Sequence, residues 1–134
     1  MAWLVLSKQR TREGKIVLKV VIEKIGELAV VECRGRIVKS EAAFKLRKVV
    51  TSLGDTRIIV LDLSEVTAIE ADGLSMLLFL PQWAYEHGIQ LKLFNPTTSV
   101  LDSLKLVIRR FDMVSLHEML ALLANTDSRF TLAA

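Results

Sequence analysis

The chain has one cysteine, two histidines, two prolines and six glycines in 134 residues. The single thiol, Cys33, excludes an intrachain disulfide. It sits in a strand-like run and reads as buried and inert, in keeping with a reducing compartment. The glycines never cluster between a strand and a helix as a dinucleotide site requires. Neither a GxxxxGK(S/T) phosphate loop nor a GxSxG nucleophile turn occurs. His87 and His117 lie far apart, without converging cysteine or carboxylate ligands. No enzyme, cofactor or metal is therefore expected. The longest apolar stretch, Leu74 to Leu80, is broken by Ser75 and stopped by Pro81. A spanning helix needs about 20 such residues, so no direct membrane insertion is expected. The start is apolar before any charge appears, the reverse of a secretory signal, and the expected location is the cytoplasm. Charge of either sign is modest: 18 basic against 15 acidic side chains, net +3. The cations are scattered, so no nucleic-acid footprint is read, and Arg34/Arg36 and Arg109/Arg110 read as solvated rims.

What the chain does have is 51% hydrophobic residues, enough for the core of one domain. Residues 7–15, SKQRTREGK, separate a short apolar segment from the rest. Residues 1–14 are read as an N-terminal extension. Its Trp3, Leu4, Val5 and Leu6 are apolar enough to add an edge strand or cover an open sheet face. The domain proper is read as residues 15–124, with 125–134 as a tail. Alternation from Ile16 to Glu23, a turn at Gly26 and the run Leu28–Arg34 predict a hairpin. Ser40 is the N-cap candidate of a helix whose Ala43, Leu46, Val50 and Leu53 form one apolar stripe, ended by Gly54. Residues 57–63 read as a strand covered on both faces. A helix from Gly73 to His87 follows, with Pro81 expected to bend it or sit near its end and Gly88 as its stop. Ile89–Phe94 is a strand. Asn95 is the predicted cap and Pro96 the first residue of the next helix, which uses Val100, Leu101, Leu104 and Ile108. Phe111–Val114 is a last short strand, and Ser115-Leu-His-Glu118 is a capping box. The expectation is an α/β fold with a mixed, mainly parallel sheet of four to five strands and about four helices.

The informative stretch is Val60 to Leu74, read as strand, loop and helix start. By itself it needs no function: Asp72 caps the helix and Glu70 is a solvated loop residue. Yet Asp62-Leu63-Ser64 followed by Glu70-Ala71-Asp72-Gly73-Leu74 resembles the STAS signature, Asp-Leu-Ser and then Asp-Ser-Ser-Gly-Leu. Gly35-Arg36-Ile37 and Gly88-Ile89-x-Leu91 fit the family's other landmarks, and the resemblance spans residues 15 to about 124. It implies the fold of the anti-sigma-factor antagonists. It also implies a partner kinase that doubles as an anti-sigma factor and phosphorylates the first serine, breaking the complex.

The chain departs from this pattern at the switch. Ala71 stands at the phosphoacceptor position and cannot take a phosphate. Asp72 replaces the next serine, Glu70 the preceding aspartate, and Val38 the aspartate after Gly35-Arg36-Ile37. Asp72 either leaves the domain without phospho-control or imitates, with one charge, a permanently modified state. On a helical wheel Met76, Phe79, Leu80 and Trp83 fall opposite Leu74, Leu77, Leu78, Pro81 and Tyr85. The expected partner surface is Lys39, Ser40, Glu70, Ala71, Asp72, Gly73 and Met76, with Phe79 and Trp83 as apolar anchors. The expected partner is a protein: an anti-sigma factor/serine kinase or a multi-protein assembly. Two other readings stay open, a STAS subunit of a lipid-transporting ABC complex and a small ligand-binding or catalytic α/β domain. A homodimer is also left open.

Overall fold

The structure, a computed structural model, describes residues 3–10, 16–37 and 40–126. A two-residue turn sets the register of its first half. Strands β2 (Ile16–Ile25) and β3 (Leu28–Ile37) pair antiparallel with Ile25 opposite Leu28. Gly26 takes φ 59° at the first turn position, which a II′ turn reserves for glycine. Outside β2 lies β1 (Trp3–Arg10), also antiparallel.

From β3 onward every neighbour is parallel. Helix α1 (Ser40–Thr51) leads to β4 (Ile58–Ile69), α2 (Ala71–Glu86) to β5 (Gln90–Phe94), and α3 (Thr98–Leu104) through a 3₁₀ turn (Ile108–Arg110) to β6 (Asp112–Val114). Helix α4 (Leu116–Thr126) follows. The six strands lie in the sheet in chain order. Right-handed crossovers that always step the same way put α1, α2 and α3 on one face. The core agrees. Ala29, Val31, Cys33, Ile59, Leu61, Leu63, Leu91 and Leu93 pack with Leu46, Val50, Leu77, Leu80 and Leu104. The alternate residues Leu28, Val30, Ile58, Val60, Phe94 and Val114 pack with Met119, Leu122 and Leu123 of α4. The α/β class, the mainly parallel pairing and the four helices are as expected. The strand count is six rather than four or five, because residues 3–10 and the three-residue β6 both join the sheet.

Three local expectations are corrected. First, β4 does not end near Leu63 in a loop; it continues to Ile69. Two bulges, between Asp62 and Glu65 and at Thr67, each add a residue on β4 opposite β3. A bulge resets which face a side chain points to. Leu63, Val66 and Ile69 therefore all reach the core at spacings of three, a pattern that hides the strand. Second, the cap of α3 is Thr97, not Asn95. The Thr97 hydroxyl accepts from the Val100 N–H at 3.3 Å and donates to the Val66 carbonyl at 3.0 Å. Asn95 instead turns the chain at φ 52°, and Ile108 belongs to the 3₁₀ turn. Third, α2 begins at Ala71 and not at Gly73; Pro81 lies inside it, in the second half of Ala71–Glu86. Other signals hold. Gly88 closes α2 at φ 68°, with Ile89 N–H bonded to the Ala84 carbonyl at 2.9 Å and Gly88 N–H to that of Tyr85 at 3.2 Å, a Schellman ending. In the capping box Glu118 N–H donates to Ser115 Oγ at 3.1 Å, and Ser115 N–H to Glu118 Oε1 at 3.4 Å.

Thr97 ties a helix start to the bulged strand through one hydroxyl. Thr97→Val should lower the free energy of unfolding in denaturant by about 1 to 2 kcal/mol. Asn95→Gly, at a left-handed position, should leave it unchanged or slightly higher. Equal losses for the two variants would restore Asn95 as the cap.

Candidate functional site

The parallel strands β3 and β4 end side by side, with Ile37 opposite Ile69. Helices α1 and α2 both start from these carboxyl ends, where a parallel sheet typically presents its binding groups. One residue, Glu70, separates β4 from α2. Its N–H donates to the Ile37 carbonyl at 3.0 Å, and its own carbonyl accepts the first helical bond from Leu74 N–H at 2.9 Å. Gly73, in the first turn of α2, lies directly against Ile37. A Cβ added there would stand 2.3 Å from the Ile37 oxygen and 2.7 Å from its Cγ2. No side chain fits in that gap, so glycine is required by space rather than by backbone conformation.

Glu70, not Asp72, is the N-cap of α2. Its backbone is extended (φ −99°, ψ 179°) and its carboxylate makes no capping bond. The carboxylate sits 3.7 Å from Arg36 Nη2, with both side chains more than half exposed. Such a pair contributes at most about 1 kcal/mol. Ala71 and Asp72 are the first two helical residues, at the positive end of the helix dipole. Ser40 opens α1 from the neighbouring strand end, and Lys39 lies outside the described residues.

Two of the expected anchors turn inward. Met76 is 7% exposed and Trp83 8%, and both join the core with Leu77, Leu80 and Ala84. The Trp83 ring stacks on His87 with centroids 4.8 Å apart, while His87 Nδ1 lies 2.8 Å from the Trp83 carbonyl. Helix α2 is covered by the sheet beneath it and by α1 beside it, so its apolar arc is wider than a surface helix needs. A helical wheel cannot say which edge of so wide an arc meets solvent. Phe79 is half-buried, and the Arg47 guanidinium carbon lies 3.6 Å from its ring centroid. The groups that sequence reasoning missed are on α1. Phe44 is 56% exposed, with Lys48 Nζ 6.0 Å from its ring. The signal was present: Phe44 lies off the Ala43, Leu46, Val50 stripe, among lysines.

The Asp-Leu-Ser part of the signature builds the strand. The Asp62 carboxylate accepts from the Ser64 N–H at 3.0 Å and from the Ser64 hydroxyl, which clamps the first bulge of β4. Beside it Glu32 pairs with Arg34 and holds that guanidinium above its usual pKa. Cys33 is fully buried, and its thiol is pushed up to about 12, first by loss of water and then by Asp62 and Glu32. It keeps its proton at neutral pH. Among the described residues no three His, Cys, Asp or Glu side chains gather as metal ligands.

A family model described as the STAS domain matches residues 19–127. A sequence search of curated proteins finds no match. Among solved structures, an anti-sigma factor antagonist from Mycobacterium paratuberculosis superposes with a TM-score of 0.68 at 16% identity, covering 86% of this chain and 98% of that one. The anti-sigma factor antagonist SpoIIAA of Bacillus, unphosphorylated, gives 0.66 at 14% identity, covering 77% and 92%. The murine Slc26a9 anion transporter gives 0.62 at 16% identity, with 77% of this chain matching 18% of the transporter. At these identities the likeness is one of fold.

The contact at Gly73 can be tested directly. Gly73→Ala should destabilise the domain by about 2 kcal/mol or more in denaturant titration, since the new methyl meets backbone that cannot yield. Gly88→Ala, strained in φ but with open space around it, should cost about 1 kcal/mol. A neutral Gly73→Ala would mean that the start of α2 is free to shift away from Ile37.

Proposed function

The chain belongs to the STAS domain family, and we propose that it works in the cytoplasm as a non-catalytic protein-binding module of the anti-sigma-factor antagonist type. One observation carries this reading. The start of α2 is held at the carboxyl ends of β3 and β4 by the Ile37 carbonyl and Gly73, in a fold shared with two anti-sigma factor antagonists. No helix of the described residues is long and apolar enough to cross a membrane. The proposed partner is an anti-sigma factor of the serine-kinase type, or an assembly containing one.

The proposed surface keeps Lys39, Ser40, Glu70, Ala71, Asp72 and the exposed edge of Phe79. It gains Phe44, Arg47 and Lys48 from α1. Met76 and Trp83 leave it because they are buried. Ala71 offers no oxygen for phosphate, so the complex is not broken by modification at that residue. Asp72 places a fixed charge one residue further on, about half that of a phosphate.

Binding to purified kinase-type anti-sigma factors from the same cell tests this, read by calorimetry. Asp72→Lys and Phe44→Ala should each weaken the complex tenfold or more, since interface anchors carry about 2 kcal/mol. Both should stay folded, Phe44→Ala with an unchanged thermal midpoint and Asp72→Lys with a slightly lower one, because a cation at the start of α2 opposes the helix dipole by about 1 kcal/mol. After incubation with the kinase and ATP, mass spectrometry should find residues 68–74 unmodified. Full binding by both variants would move the interface elsewhere. A phosphate on Thr67 or Ser75 would show that control has shifted to a neighbour rather than been lost.

A further inference from the structure

Between α3 and β6 the backbone tightens into three-residue steps. Lys105 N–H bonds to the Asp102 carbonyl at 3.4 Å, Val107 to Leu104 at 2.8 Å, Arg110 to Val107 at 2.9 Å and Phe111 to Ile108 at 3.1 Å. In such a winding, side chains three apart stand one above the other. Leu104, Val107, Ile108 and Phe111 pack into the core. That register drives Leu106 and Arg109 outward together, with Lys105 and Arg110 beside them; all four are exposed. Leu106 is 96% exposed, and Leu101, on the preceding helix, is 41% exposed.

A lone surface leucine needs no explanation. This one stands on a turn among three cations, in a segment packed against the core on its other side. The acid within the segment is Asp102. Asp112, at its far end, is engaged by Lys92 at 2.6 Å. The local charge is therefore positive, and the shape is an apolar tip ringed by long cationic side chains. A layer of anionic lipid headgroups complements both features. The leucine can sit below the phosphates while lysine and arginine reach them and keep their stems in the apolar boundary. Arg109 and Arg110, solvated rims in the sequence reading, thus acquire an apolar companion. The contact is shallow and needs no spanning segment.

The position in the fold supports the assignment. Helix α3 leaves the carboxyl end of β5, and the 3₁₀ turn delivers the chain to the start of β6. The Leu106 corner therefore lies toward the end of the sheet opposite the start of α2. We propose that this corner, Lys105, Leu106, Arg109 and Arg110, is a docking point for an anionic lipid surface, one that leaves the α2 end facing away from the bilayer. The assignment does not depend on the partner proposed above.

The full chain can be sedimented with vesicles of phosphatidylglycerol and phosphatidylcholine in equal parts, against vesicles of phosphatidylcholine alone. Binding should appear only with phosphatidylglycerol and fall as salt rises. Arg109→Gln and Arg110→Gln should each lower the partition coefficient about fivefold. Leu106→Ser should lower it by a similar factor, with every variant keeping the parent thermal midpoint. Leu106→Cys provides a second readout, because the native thiol is buried and the new one is exposed at the corner. An environment-sensitive dye on that cysteine should shift to the blue on anionic vesicles. Equal binding by parent and Leu106→Ser, an unshifted dye, or equal binding to both vesicle types would overturn the proposal. So would capture of an acidic polypeptide such as polyglutamate with no binding to vesicles, which would make the corner a protein contact.

Discussion

The carbonyl of Ile37 is the point on which the arrangement turns. It receives the Glu70 amide, and its oxygen and the Ile37 side chain together leave Gly73 no room for a methyl. A hydrogen bond alone would let the first turn of α2 rock about that bond. Close backbone packing on the far side removes that freedom. The exposed charges around it, Arg36 and Glu70, are too weakly coupled to do the same. The orientation of α2, and through Phe79 and Arg47 its relation to α1, thus starts from a contact that contains no side chain on the helix side.

The family signature therefore divides into two kinds of residue. Asp62 and Ser64 face each other across a bulge and shape the strand. Gly73 shapes the join between strand and helix. Three of the four departures from the resembled pattern, Glu70, Ala71 and Asp72, fall at this helix start, where α2 is held through the Glu70 backbone and Gly73 and not through those side chains.

Much of the fold was legible because local chemistry was unambiguous. Gly26 between two alternating runs fixed the hairpin, the Ala43, Leu46, Val50 spacing fixed α1, and the Ser115/Glu118 pair fixed the start of α4. The second half of β4 was not legible. Its bulges turn a period of two into steps of three, and Leu63, Val66 and Ile69 then resemble neither strand nor helix. Asn95-Pro96 misled for another reason: a residue that tolerates positive φ serves a turn as readily as a cap. The misplaced anchors Met76 and Trp83 have a third cause. Helix α2 meets the sheet and α1 at once, and only the packing partner decides which edge of a wide apolar arc is wet.

Strand order in the sheet equals strand order in the chain. As the polypeptide leaves the ribosome, each strand can dock on the edge left by its predecessor, and none has to be inserted between two already paired. The β2/β3 hairpin can form first from neighbouring residues, and each later addition closes only one crossover. Such a nearest-neighbour topology keeps loop closure short, which favours rapid and vectorial folding. It also means that the newest strand always leaves an open edge on the growing side, until the three-residue β6 ends that side with an edge too short to template another chain; the other edge of the sheet is β1.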